Sequence, residues 1–394
     1  MSKKILVLFL LFFMTGCWNY HELNSLAIST ALAIDKKDDE YEISILIANS
    51  KKGQVSAEKG ESQTVVYSAK GNTISDALKN IDLENPRQTY IGHLAVIVIS
   101  EEVAKEGLMD ILDLLLRNSE STKRFYIAIA TDYSAKDIIQ IISPLETFPS
   151  QTISINIKSS SESQAVSAAV TYSKFIENLL KKGINPLLPT ITIEGDEKKG
   201  SDDKNLEKSS PSAILKLGTL TIFDDDKLIE SASNNESRGI NLMMNRINEM
   251  IIEDKCGDDY LVASLSQVSS KTSIEFKNGK PIATISVKGI GDITENSCNL
   301  ELTDPKVIDK IEKEINDKVE SLMKKGLKLI QKDLKSDVIG IGNLVYKKNP
   351  KYYKKIKDWD QDIFPDMKIK VKSNINISTK GSTKQSIKEA KNEN

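Results

Sequence analysis

The sequence predicts an α/β (α+β) protein of three domains, each a mixed or antiparallel sheet with packed helices. Three observations predict it. Period-two strands alternate with helix-period segments from Leu26 to about Gly195. A run almost without apolar side chains, GDEKKGSDDKNLEKSSPS, interrupts that alternation at 195–212. A hairpin, a long amphipathic helix and a closing strand fill the last third. The domains therefore read as 17–195, 213–256 and 257–380, with a polar linker at 196–212 and a polar tail at 381–394.

Residues 1–16 read as a signal peptide. Lys3 and Lys4 form a positive head, and Ile5 to Phe13 are unbroken apolar residues. At 1.5 Å per residue such a run covers roughly half of the ~30 Å hydrocarbon core, too little to span it. Thr15 and Gly16 precede Cys17, an arrangement that resembles a bacterial lipobox, with Met14 where Leu is preferred. Cleavage before Cys17 then leaves its thiol to carry diacylglycerol. The competing readings are an ordinary secretory signal with a chance cysteine, or an uncleaved anchor.

The first domain opens with a strand from Leu26 to Asp35, the turn KKDDE and a second strand carrying Tyr41, Ile43, Ile45 and Ile47 on one face. QTVVYSAKG is a third strand. Asn72 or Thr73 caps a helix through Asp82. Leu94 to Ile99 is nearly all apolar, as a central strand covered on both faces should be. Ser100 caps a helix whose first turn holds Glu101 and Glu102, and Gly107 interrupts it. Met109–Arg117 and Ala135–Ile142 read as helices around a strand at Phe125–Ala130. Residues 164–182 read as one amphipathic helix stopped by Gly183, and PLLPTITIEG as a short edge-like strand.

The middle unit reads as a hairpin about Asp224-Asp225-Asp226 and a helix over 237–252. The three aspartates lack the spaced ligands, central Gly and distal Glu of a calcium loop, so they read as a solvated hairpin tip. The last unit is a hairpin turning at Asn278-Gly279 and a helix opened by Asp304-Pro305. Ile308, Ile311, Ile315, Val319, Leu322, Gly326 and Ile330 line one face of that helix, and a strand from Asp366 to Thr379 closes the unit.

Composition excludes several classes. The chain has 394 residues, 54 basic and 56 acidic, for a net charge of -2, without the basic excess of a dedicated nucleic-acid binder. Mean hydropathy is -0.30, and no apolar run after the leader reaches spanning length. The only histidines are His21 and His93, and the cysteines besides Cys17 are Cys256 and Cys298. A zinc site or a Ser-His-Asp triad is accordingly not expected. Cys256 and Cys298 either pair or are two unrelated small core residues; the second reading is favoured here, because sequence alone does not bring their α-carbons together. Gly340 and Gly342 hint at a phosphate loop, but Val345 stands where its third Gly belongs, so a glycine-rich bend is expected. Between Tyr346 and Trp359, lysines alternate with aromatics. That segment reads as lysines facing water over core aromatics, with contact to anionic lipid heads or a protein surface as the alternative.

Several short patterns stand in order along nearly the whole chain. They are Cys17-Trp18 with Glu22-Leu23-Asn24 and Ile34-Asp35; Pro86-Arg87, Gly92-His93 and Ile99-Ser100-Glu101-Glu102 with Ala104-Lys105, Gly107 and Arg117; Gly218, Phe223, Asp226-Lys227-Leu228 and Glu236-Ser237-Arg238-Gly239; and Lys335-Ser336-Asp337 with Gly340, Gly342, Pro350, Trp359 and Phe364-Pro365. With them the chain resembles the C subunit of GerA-type spore germinant receptors, the Ger(x)C lipoprotein family. Tyr20, His21 and Ala33 depart from that pattern.

The resemblance implies a three-domain α/β lipoprotein at the outer face of the spore's inner membrane. It implies partnership with an A subunit and a transporter-like B subunit that binds the germinant. It implies no enzymatic role, no catalytic or metal-binding residue and no cofactor beyond the covalent lipid; only Cys17 takes over a role, lipid attachment. The alternative is a lipid-anchored solute-binding protein of an importer, which would need two α/β lobes around a cleft. A hydrolase of cortex peptidoglycan would need a distinct carboxylate or nucleophile constellation, and no pair among the 56 acids stands out.

Overall fold

Alternating apolar residues build β1 (Leu26–Lys37), β2 (Glu40–Ala48) and β3 (Thr64–Gly71), an antiparallel meander whose first turn uses Asp38 and Asp39 at positive φ. The structure, a computed structural model, describes residues 25–49, 63–118, 121–163, 165–207, 209–298 and 300–378. The leader, Cys17 and His21 lie outside the described residues. Thr73 caps α1 (Ile74–Glu84) through the amide of Asp76, and β4 (Gln88–Tyr90) pairs with the start of β1.

The all-apolar run becomes β5 (Val96–Ser100), fully buried from Val96 to Ile99. It lies parallel to β1 and to β6 (Tyr126–Ala130). Two capped helices cross between them. Ser100 caps α2 (Glu101–Glu106), which stops at Gly107, where φ is 131°. The Asp226 carboxylate accepts the Met109 amide at 2.8 Å and so starts α3 (Met109–Arg117). The acidic turn is therefore a helix anchor as well as a hairpin tip. At the far end of β1, Asp35 accepts the amides of Ala135 and Lys136 at 2.7 and 2.9 Å, fixing the start of α4 (Ala135–Gln140).

Three expectations need correction in the first half. The helix expected over 164–182 divides: α5 (Pro149–Ser163) ends before Ala165, whose φ of 61° leaves helical space, and α6 (Tyr172–Leu180) starts afresh at the Thr171 cap. β7 (Leu187–Gly195) is no edge strand. It pairs parallel with β6 and antiparallel with β8 (Ala213–Asp224). Residues 196–212, expected as a linker between domains, connect neighbouring strands of one sheet. A helical turn at Glu197–Gly200 packs there, and the buried Asn205 amide bonds the carbonyls of Ile142 and Ala213. β9 (Lys227–Ser231) completes the order β3-β2-β1-β5-β6-β7-β8-β9. Alternation buries both sheet faces. Ala31, Val98 and Ala128 meet Ile138 and Ile153 on one; Ile34, Ile99 and Ile129 share the other core with Ile111 and Phe175.

The expected middle unit is shared between two sheets. α7 (Asn234–Met243) is shorter than the helix expected over 237–252, and Met250–Cys256 is β10, a strand. β11 (Asp259–Lys277) and β12 (Lys280–Asn296) form the long hairpin that turns at Asn278-Gly279. β13 (Lys368–Ser378) lies parallel to β12, giving the order β10-β11-β12-β13. The Asp304-capped helix is α8 (Pro305–Lys328), and its Asn316 side chain ties to both the N–H and C=O of Ile375 on β13. α7 crosses α8 glycine to glycine. A Cβ on Gly239 would fall on the Leu322 carbonyl, and one on Gly326 would lie 2.8 Å from the Glu236 carbonyl oxygen.

Cys256 and Cys298 form a disulfide, with α-carbons 6.0 Å apart, which corrects the unpaired reading favoured from sequence. The cause is topological. β10 and β12 flank the same strand, β11, and the cysteines sit where both reach its Asp259 end.

Candidate functional site

The most elaborate polar site lies where the second sheet's helices meet the first sheet. After α8 the chain makes a π-helical turn at Leu329–Asp333 and enters Ser336-Asp337, both buried. Gly340, at φ 74°, turns the backbone into α9 (Ile341–Lys348). That bend aims three amides at one side chain. Asp337 Oδ1 accepts from Gly340 and Ile341 at 2.8 and 3.1 Å; Oδ2 accepts from Gly342 at 2.6 Å and from the Trp359 indole at 2.9 Å. A Cβ at Gly342 would lie 2.6 Å from the indole nitrogen and 2.8 Å from the Gly183 α-carbon, so both glycines are required by close approach. The glycine-rich bend is thus a cradle for the protein's own carboxylate.

Asp360 continues the network. One of its oxygens accepts the Asp337 amide at 2.8 Å and the other the Asn185 side chain at 3.3 Å. Asn185 also donates to Ser336 Oγ, and Ser336 donates to the Phe223 carbonyl at 2.8 Å. Backbone bonds from Asn185 to Asp337 and from Asn343 to Gly183 close the joint. Burial pushes the Asp337 carboxyl up to about 7, opposed by the donors Gly342 and Ile341. Burial likewise pushes Asp360 up to about 6. Both oxygens of Asp337 are spent on donors, so the site positions two halves of the molecule; it offers no free base to a substrate.

The aromatic-lysine segment follows the same logic. Tyr346 packs on Tyr353, which stacks on the buried Trp359, and Trp359 tilts against Phe364, while Lys347, Lys351, Lys354, Lys355 and Lys357 stay out of the core. The Glu236–Gly239 pattern is equally structural. Glu236 and Ser233 form a capping box, the Ser237 hydroxyl accepts the Leu220 amide, Arg238 donates to the Ile251 carbonyl, and Gly239 makes the helix crossing.

Two cavities stand outside this joint among the described residues. One of about 570 Å³ lies between α7, β10 and α8, with Arg238, Lys318, Lys325 and Glu253 at its wall. The other, of about 230 Å³, is apolar, between Leu145, Ile155 and Ile214. Among the described residues no group of three His, Cys, Asp or Glu side chains has metal-holding geometry, and no helix is long and apolar enough to cross a membrane. Cys17, the expected lipid site, precedes the first described residue, Ser25, which leads directly into β1. Sequence reasoning missed the roles of Asn185 and Asp337. The visible signal was the spacing of Ser336-Asp337 from Gly340, Gly342 and Trp359.

Residues 19–193 match the family model of the spore germination protein N-terminal domain, and residues 218–381 that of the spore germination B3/GerAC-like C-terminal domain. The chain is 30% identical to spore germination protein KC of Bacillus subtilis (strain 168), over 98% of this chain and 97% of that protein. It is 23% identical to spore germination protein B3 of the same organism, over 96% and 99% of the two chains. With GerQC of Bacillus cereus it shares 21% identity over 97% of this chain and 100% of that one. Among solved structures, that of the GerBC protein superposes with a TM-score of 0.53 at 19% identity, covering 88% of this chain and 96% of that chain. That likeness shows the fold: mixed α/β, with two sheets and packed helices.

Proposed function

Because the chain belongs to the GerAC family of spore germination proteins, we propose that it is the non-enzymatic, lipid-anchored C subunit of a nutrient germinant receptor. Cys17 carries the lipid, the folded part stands at the outer face of the spore's inner membrane, and the partners are the receptor's A and B membrane subunits. The observation that carries this reading is end-to-end likeness: both family domains occur in order, and the KC protein aligns over nearly its whole length. The use of buried polar groups supports a contact role. Asp337, Asp360 and Asn185 are committed to joining elements of the chain. The acyl chains add about 0.8 kcal/mol per buried CH₂ and hold the subunit beside its partners, raising their effective concentration.

Spores carrying Cys17→Ala in place of the wild-type protein test it. Membrane association and nutrient-triggered germination should both fall while the protein stays intact. Germination at the wild-type rate with the protein released from the membrane would overturn the anchored-subunit mechanism.

A further inference from the structure

The outward face of the second sheet is a field of lysines. Strand alternation places Lys271 and Lys277 of β11, Lys280 and Lys288 of β12, and Lys368, Lys370 and Lys372 of β13 opposite the buried Ile285 and Val287, and all of them are exposed. Register sets them in rows. Lys271, Ser286 and Lys372 lie side by side; Ser273, Thr284 and Lys370 form the next row; Glu275, Ile282 and Lys368 the next. Alternate residues on a strand are about 6.7 Å apart and strands about 4.8 Å apart, so the charges form a flat lattice. Glu275, which holds Lys277 at 3.9 Å, is the acid set among the lysine rows; Asp292, Glu295 and Glu253 lie on the same face beyond them, toward the Asp259 end of β11. Among the described residues, no ion pair engages Lys271, Lys288, Lys368, Lys370 or Lys372. The whole chain carries a net charge of -2, so this face is more positive than the chain as a whole.

The chemistry of the face selects its occupant. Its lysine-bearing part, over 269–277, 280–288 and 368–374, offers lysine, serine, threonine and asparagine on a plane, with Glu275 and the half-buried Ile282 among them and no arginine, tyrosine or tryptophan; Tyr260 lies at the far end of β11, under Lys255. Cores of protein interfaces are poor in lysine and rich in those aromatic and guanidinium anchors. A lattice of flexible point charges suits an array of anionic headgroups, which demands no shape complementarity. Topology adds a second reason. The parallel strands β1, β5, β6 and β7 all start at one edge of the first sheet. The Asp337 joint holds the second sheet's helices at that same edge, beside Asn185 at the start of β7. Chain entry at Leu26 and the second sheet therefore share one end of the molecule. The nine residue-to-residue steps from Cys17 to Leu26 reach at most about 30 Å. We infer that the outward face of the second sheet rests on the anionic lipid surface of the membrane, orienting the subunit about its anchor. This rests on the anchored reading above.

The test uses full-length lipidated protein in vesicles of phosphatidylcholine alone or mixed with phosphatidylglycerol. Lysine acylation by an amine reagent is followed by mass spectrometry. Lys271, Lys288, Lys368, Lys370 and Lys372 should label several-fold more slowly on the anionic vesicles, while Lys313 of α8 labels equally on both. Protection should vanish near 1 M salt, where the screening length is about 3 Å. The triple variant Lys368→Glu, Lys370→Glu, Lys372→Glu should stay vesicle-bound through its anchor and lose the protection at Lys271 and Lys288. Equal labelling on the two vesicle types overturns the inference while leaving the anchor intact. Protection that appears only when other spore-membrane proteins are added also overturns it, assigning the face to an acidic protein. Failure to bind either vesicle overturns the anchored reading itself.

Discussion

Asp360 shows at the residue scale how chemistry here serves architecture. It accepts one backbone and one side-chain donor, yet it lies beside Asp337 in a buried site, and burial raises both carboxyls. A carboxyl whose folded pKa exceeds its unfolded value binds more protons when folded. Its stabilisation is complete below about pH 4 and is lost as pH rises through about 6 for Asp360 and about 7 for Asp337. Thermal stability should therefore decline between about pH 4 and pH 7 and level off above. Asp360→Asn keeps an oxygen for the Asp337 amide and removes one charge, so it should flatten that decline by on the order of 2 kcal/mol. An unchanged slope would mean that this pair does not titrate in that range. Cys298 gives a second residue-scale prediction. Cys298→Ser opens a bridge spanning 42 residues, and loop-closure entropy puts the cost at about 4 kcal/mol. Alkylation without reduction should find Cys256 and Cys298 blocked in the wild-type protein. Neither effect was legible in sequence, because burial of Asp360 and proximity of the cysteines are both set by segments remote in the chain.

At the scale of elements, capping and alternation were legible and breaks were not. Thr73, Ser100 and Asp304 cap where their side chains predict. The division of 164–182 hinges on Ala165 at positive φ, held among tertiary contacts that include the Asn241 amide on its carbonyl. Met250–Cys256 carries residues compatible with either state, and pairing with β11 makes it a strand. The crossing of α7 and α8 needs Gly239 because backbone meets backbone there. Gly239→Ala should raise helix propensity locally and yet destabilise the protein by about 3 kcal/mol, since the two helices must part. Denaturant unfolding decides it. A neutral or stabilising result would show that the crossing is loose.

For the whole molecule, the polar stretch at 196–212 invited a domain boundary, because solubility and sheet connection look alike in composition. Pairing of β7 with β8 across that stretch joins what composition divides. The two sheets are then coupled by α7 against α8 and by the Asp337 joint, where four donors converge on one buried side chain. Coupling of that kind predicts one cooperative thermal transition for the described fold, since opening the joint strands those donors in a dry site at about 1–3 kcal/mol each. Asp337→Ala removes the acceptor and leaves the Trp359 indole and the glycine amides unsatisfied. The second sheet, still braced by α8 and the disulfide, should then melt separately from the first. Calorimetry should record one transition for the wild-type protein and two for the variant. Two transitions in the wild-type protein would mean that the sheets fold independently and that the joint orients them without stabilising them. A single, merely lowered transition in the variant would place the coupling in the α7–α8 crossing instead.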